Sequence, residues 1–167
     1  MIKITVKLGN LIEEKADAIV NPTNCYGIMD GSVSKIIKNV GGEVIEVESM
    51  RKSPIPIGKA ILTDAGMLPF RHIIHSPTLE MPTLSAKEEN IRKAVFASLK
   101  TADSNKISRI AMPGMGTGIG GFEPIEAARI MIEEIKKFKE TSLKEIILID
   151  INESVVMAFK SILKERN

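Results

Sequence analysis

"ISRIAMPGMGTGIGGFEPIEAARIMIEEIKKFKE", Ile107 to Glu140, joins a short apolar run, a loop with five glycines between Met112 and Phe122, and a helical pattern opening on Pro124. A strand that passes through bare backbone into a helix is the repeating unit of an α/β sheet, where loops at the carboxyl ends of strands carry the ligand. Glycine reaches backbone angles closed to other residues and lets main-chain N–H groups close on a bound group. Pro124 suits a first helical turn, where its missing N–H costs nothing. That turn leaves N–H groups unpaired and partly positive, which favours a phosphate oxygen. Tight turns alone are the plainer reading of the glycines. Their density at a strand end argues instead for an anion nest over Gly116 to Gly121.

Outward from this unit the same alternation recurs. "IKITVK" (Ile2 to Lys7) has the period-2 pattern of a half-buried strand and "DAIVNP" (Asp17 to Pro22) the short apolar run of a buried one. After "TNCYGIMDG", the residues Val33, Ile36, Ile37 and Val40 follow helical spacing, with Ser32 as a cap and Gly41 as a stop. "EVIEVESMRK" continues as a second helix, against the preference of its β-branched residues. "GKAILTDA" and "RHIIHSP" read as strands, "AKEENIRKAVFASLKTAD" as an amphipathic helix, "KEIILID" as a strand and "SVVMAFKSILKE" as a closing helix. The expectation is an α/β sandwich with helices on both faces of a mainly parallel or mixed sheet. Both unusual loops, after Asn21 and after Pro113, then fall at carboxyl ends. Gly31 and Ser32 form a second nest, and two opposed nests suit two linked phosphates.

The 167 residues, 44% of them hydrophobic, suffice for one core, so a single domain over 1–167 is expected. A net charge of +2 gives no field that selects nucleic acid or an anionic membrane. One cysteine and no CxxC pair fit a reducing compartment and argue against a zinc site. The N-terminus alternates apolar and charged residues, and no run reaches membrane-spanning length, so the chain reads as soluble and cytoplasmic. "GTGIGG" (Gly116 to Gly121) satisfies GxGxxG, but it comes late in the chain and the next strand ends at Asp150, well beyond the acidic partner's usual distance. A nicotinamide dehydrogenase is therefore disfavoured, and the GxxxxGK[ST] of a Walker site is absent.

Taken together and in order, these segments resemble the macro domains, which bind ADP-ribose. "ADAIVNPTN" (Ala16 to Asn24) resembles the family's signature near "DAIVNAAN", and "GIMDGSVSKIIKNVGG" its first glycine loop and helix. "PIGKAILTDAGMLPFRHIIHSPT" resembles its central pair of strands, and "IAMPGMGTGIGGF" its second loop. The resemblance runs from about Leu8 to Asp150. It implies a three-layer α/β/α sandwich around a central mixed, about six-stranded sheet. It implies ADP-ribose or a derivative as ligand, with Asp17 reading adenine beside Ala18 and Asn24 facing the distal ribose. Asn21 would serve the turn. Gly31, Ser32 and Val33 would hold the diphosphate from one side, and Met115, Gly116, Thr117, Gly118, Ile119, Gly120, Gly121 and Phe122 from the other. Asn10 and Asp150 complete the expected contacts. No cofactor or metal is implied, and an ADP-ribosylated protein is a second partner of the same chemistry.

Several positions depart from the family pattern. Its "GGGV" reads "DGSV", which sets Asp30 near the phosphates unless its carboxylate caps the helix. Its "GIYGF" aromatic is Gly120, its "GDIT" acid is Asn10, and the acid that many hydrolytic members carry after the valine is Ser34. Removal of the terminal phosphate of ADP-ribose 1''-phosphate, or of ADP-ribosyl groups, would then rest on Asn24 orienting the ribose and on a positioned water. A third reading, an adenosine-phosphate or RNA-end binding module without catalysis, is weakened by near-neutral charge and few aromatics for stacking. Cys25 reads as a small buried residue and His75 as a group that orders a strand end. Asp64 reads as a turn residue and the scattered methionines as gap-fillers.

Overall fold

The structure is a computed structural model and describes residues 1–81, 85–118 and 120–165. Six strands, β1 (Lys3–Leu8), β2 (Ala18–Asn24), β3 (Ile61–Thr63), β4 (His72–Leu79), β5 (Arg109–Met112) and β6 (Glu145–Asp150), form one sheet in the order β1-β6-β5-β2-β4-β3. All neighbours are parallel except β3, which runs antiparallel to β4. The helices are α1 (Ser32–Gly41), α2 (Val44–Arg51), α3 (Glu88–Ser104), α4 (Pro124–Lys137) and α5 (Glu153–Glu165).

The period-2 alternation of a strand splits its side chains between two faces, and here it builds two cores. Ala18, Val20, Ile74, Ile110, Met112, Ile146 and Leu148 face α3, α4 and α5. Their immediate neighbours Ile19, Ile73, Ala111, Ile147 and Ile149 face the other way, against Ile37 of α1 and Ile45 of α2. The result is the three-layer sandwich with a mixed six-stranded sheet that the sequence implied. Met29, Met112, Met115 and Met131 are all fully buried in these cores, as gap-filling residues should be.

Two local expectations fail. Ser32 is the first helical residue of α1, and Gly31 is its N-cap with no side-chain cap. Asp30 therefore does not cap the helix. The stop is one residue later than expected, at Gly42, whose φ of 108° closes the helix onto the Lys38 carbonyl. No helix among the described residues is long and apolar enough to cross a membrane.

Candidate functional site

The carboxyl ends of all five parallel strands converge on one groove. Asn10, Leu11 and Ile12 after β1 and Ile149 to Asn152 at the end of β6 and just beyond it line one end of it. Pro22 to Asn24 of β2 with Thr78 and Leu79 of β4 line the other. Between them stand Asp30 to Ser34 on one bank, and Pro113, Gly114, Gly116, Thr117, Gly118 and Gly120 on the opposite one. The groove encloses about 240 Å³, below the roughly 300–1,000 Å³ of pockets that bury a whole small molecule.

The two banks are close, since a Cβ built on Gly118 would sit 3.4 Å from the Ser32 hydroxyl. On the helix bank, α1 enters uncapped, and its first N–H to pair within the helix is that of Lys35 with Gly31. On the glycine bank, the loop is pinned at three places. Gly114 N–H donates to Asp150 Oδ2 at 3.0 Å, Gly121 N–H to the Gly118 carbonyl at 3.0 Å and Phe122 N–H to the Gly116 carbonyl at 2.9 Å. Gly116 takes φ 80°, and a Cβ there would press on Ile91 at 2.8 Å. The N–H groups of Gly116, Thr117, Gly118 and Gly120 pair with no acceptor among the described residues. Both banks thus carry unpaired N–H groups, the chemistry that suits an anion, and no Lys or Arg lines the groove among the described residues.

The predicted site residues divide sharply. Asn10, Asn24, Gly31, Ser32, Val33, Gly116, Thr117, Gly118, Gly120 and Asp150 do line the groove. Ile119 lies outside the described residues. Met115 is buried, with its N–H on Met131 Sδ at 3.3 Å, and Gly121 and Phe122 spend their N–H groups closing the loop. Ala18 is a fully buried core residue at the entry of β2.

Asp17 stands at that same entry, away from the groove. Its Oδ2 accepts from Ser108 N–H at 3.2 Å, the Ser108 hydroxyl at 3.3 Å and Arg109 N–H at 3.0 Å, which clips β2 to β5. Four residues of strand, Ala18 to Asn21, at about 3.3 Å each separate it from Pro22, the first groove residue of β2, so Asp17, where an adenine contact was expected, clasps the sheet at the edge opposite the groove.

The two asparagines of the signature differ from expectation: Asn24 takes the turn role expected of Asn21 while still lining the groove, and Asn21 is buried behind it. Asn24 orders the turn: its Oδ1 accepts from Tyr26 N–H at 2.9 Å and Ile28 N–H at 3.3 Å, and its Nδ2 donates to the Ile28 carbonyl at 2.8 Å. One amide N–H remains for a ligand. Asn21 is wholly buried, between Ser34 and His75. His75 lies in the middle of β4, not at a strand end as expected, and burial, with Lys52 nearby, lowers its pKa to about 3. Cys25 is half-buried, and burial with Glu80 pushes its thiol up, so no thiolate is prepared. His75 holds Asn21 and Thr63 instead.

Sequence reading missed the apolar wall of Leu11, Ile12, Ile149 and Ile151, whose signal was only their place at or just after the ends of two neighbouring strands. It also missed Thr23, whose Oγ1 is buried at the groove wall with no partner among the described residues.

Fold and groove together define an α/β/α protein with an elongated groove along the carboxyl edge of its sheet. The sequence model of the Macro domain family matches residues 20–131, and the chain belongs to that family. It is 48% identical over 160 residues to an uncharacterised protein of Aquifex aeolicus, covering 96% of this chain and 97% of that one. A Trypanosoma brucei macrodomain solved in complex with ADP-ribose superposes with a TM-score of 0.86 at 24% identity, over 96% of this chain and 68% of that one. An Oceanobacillus iheyensis macrodomain with MES bound gives 0.86 at 24% identity, over 96% and 90%. At that identity the likeness to the solved structures carries the fold.

Proposed function

We propose that this protein binds ADP-ribose or a close derivative, with the diphosphate between the α1 N-terminus and the Gly114–Phe122 loop. The observation that carries this reading is the pair of facing, unpaired N–H sets at the centre of a groove that is apolar at one end and polar at the other. The base lies against Leu11, Ile12 and Ile149, beside Asn10 and Asp150. The terminal ribose lies at the β2/β4 end, where Asn24 and Thr23 offer polar atoms. Related macrodomains solved with ADP and with ADP-ribose support the choice of ligand.

The test is calorimetric titration of ADP-ribose against AMP, ADP and NAD, on wild type and Asp30→Asn. ADP-ribose binds tightest, and Asp30→Asn tightens it by about two- to fivefold at low salt, because a lining carboxylate near the phosphates is removed. Binding of no nucleotide would contradict the reading. Hydrolysis is a second reading favoured by one observation: Asp30 lines the groove and accepts no hydrogen bond among the described residues. It requires free ADP-ribose or phosphate to appear from an ADP-ribosyl adduct or ADP-ribose 1''-phosphate, at a rate that Asp30→Asn abolishes.

A further inference from the structure

Behind the groove wall a chain of buried hydrogen bonds links α1, β2, β4 and β3. The Ser34 hydroxyl lies 2.8 Å from Asn21 Oδ1, Asn21 Nδ2 is 3.1 Å from His75 Nδ1, and His75 Nε2 is 2.8 Å from Thr63 Oγ1. The chain ends where Thr63 Oγ1 meets the Asp64 carbonyl at 3.0 Å. Ser34, Asn21, His75 and Thr63 are each at most 2% exposed, and Ser34 also lines the groove.

That terminal carbonyl sets the direction of every proton in the chain. A carbonyl only accepts, so the single Thr63 proton goes to Asp64. Thr63 must then accept from His75, which places the ring proton on Nε2 and leaves Nδ1 bare. A bare Nδ1 takes an N–H from the Asn21 amide, so Asn21 turns its oxygen to Ser34, and the Ser34 proton points inward. The opposite direction would set the lone pairs of Thr63 against those of the Asp64 carbonyl at 3.0 Å, a repulsive contact between two acceptors.

We propose that Ser34 is a fixed hydrogen-bond acceptor in the groove, polarised from β3, which selects a ligand bearing an O–H donor at that point. Resting on the reading above, that donor is a hydroxyl of the terminal ribose. Ser34 has spent its only proton, so it shows the groove lone pairs alone. The unpaired N–H groups of the same helical turn do the opposite, attracting phosphate oxygen, which Ser34 repels. One turn of α1 thus marks the boundary between the anionic and the hydroxylic part of the ligand. Ser34 is a positioning group, and Thr63 acts through it without touching the ligand.

The first test is the ¹⁵N spectrum of the two histidine rings in the ligand-free protein, with His75 assigned by its loss in His75→Gln. Nε2 protonated and Nδ1 bare is expected, and the reverse tautomer overturns the proposal, whatever the protein binds. The second is titration of ADP-ribose and ADP into Ser34→Ala, Thr63→Val and the double variant, each checked for an intact amide spectrum. Ser34→Ala weakens ADP-ribose about tenfold, the worth of one hydrogen bond, and leaves ADP unchanged. Thr63→Val does the same, and the double variant is no worse than either single one. Equal losses for both ligands, no loss, or additive losses overturn the proposal. Failure of wild type to bind ADP-ribose would instead strike the functional reading, and the tautomer would still decide the polarity.

Discussion

At the scale of single residues, position along a strand decides more than proximity in sequence. Asp17 and Asn24 sit in one signature, yet the strand between them carries one to the entry edge and the other to the ligand edge. Asp17→Ala removes an acceptor that serves three donors, so it lowers stability by about 1–2 kcal/mol and leaves ADP-ribose affinity within twofold. Urea unfolding read beside calorimetry checks both halves, and a large affinity loss at full stability would return Asp17 to the site. The rule that ligands meet open sheets at the carboxyl ends of strands was available from the sequence and already argued against Asp17. Asn21 and Asn24 are a different case, because which amide turns inward depends on partners 13 and 54 residues away for Asn21.

At the scale of elements, the alternation of strands and helices was legible because each strand's period-2 pattern matches the two cores it feeds. The seam through β2, β4 and β3 was not. It depends on the register that sets Asn21 opposite His75 and Ile61 opposite His75, which brings Thr63 to a diagonal position. No local pattern encodes a pairing across so many residues. The seam has a pH signature. Unfolded His75 takes up a proton near its ordinary value of 6.5, whereas folded His75 resists protonation until about 3, chiefly through burial. Between those values the unfolded chain binds more protons, so stability falls as pH drops. From pH 7 to pH 4 this single group accounts for about 3 kcal/mol. Urea midpoints that decline over this range in wild type, and decline less in His75→Gln, are expected. A flat wild-type profile would show that His75 titrates normally in the fold.

At the scale of the molecule, sheet order turns separate loops into one elongated groove. Because β1 and β6 lie on one side of β5 and β2 and β4 on the other, the apolar end and the polar end are set apart by the width of the sheet. The glycine loop after β5 falls between them, opposite α1. This is why the sequence could name both banks but not the wall of Leu11 and Ile12, which joins the site only through the pairing of the terminal strands β1 and β6. The central claim is that backbone N–H groups of both banks hold the diphosphate. The most direct measurement is the amide ¹H–¹⁵N map of the protein as ADP-ribose is added. Large shifts at Ser32, Val33, Ser34, Gly116, Thr117 and Gly118, with none at Asp17, Ser108 or Arg109, are what the account predicts. Shifts confined to one bank, or centred on Asp17 and the strand entries, would contradict it.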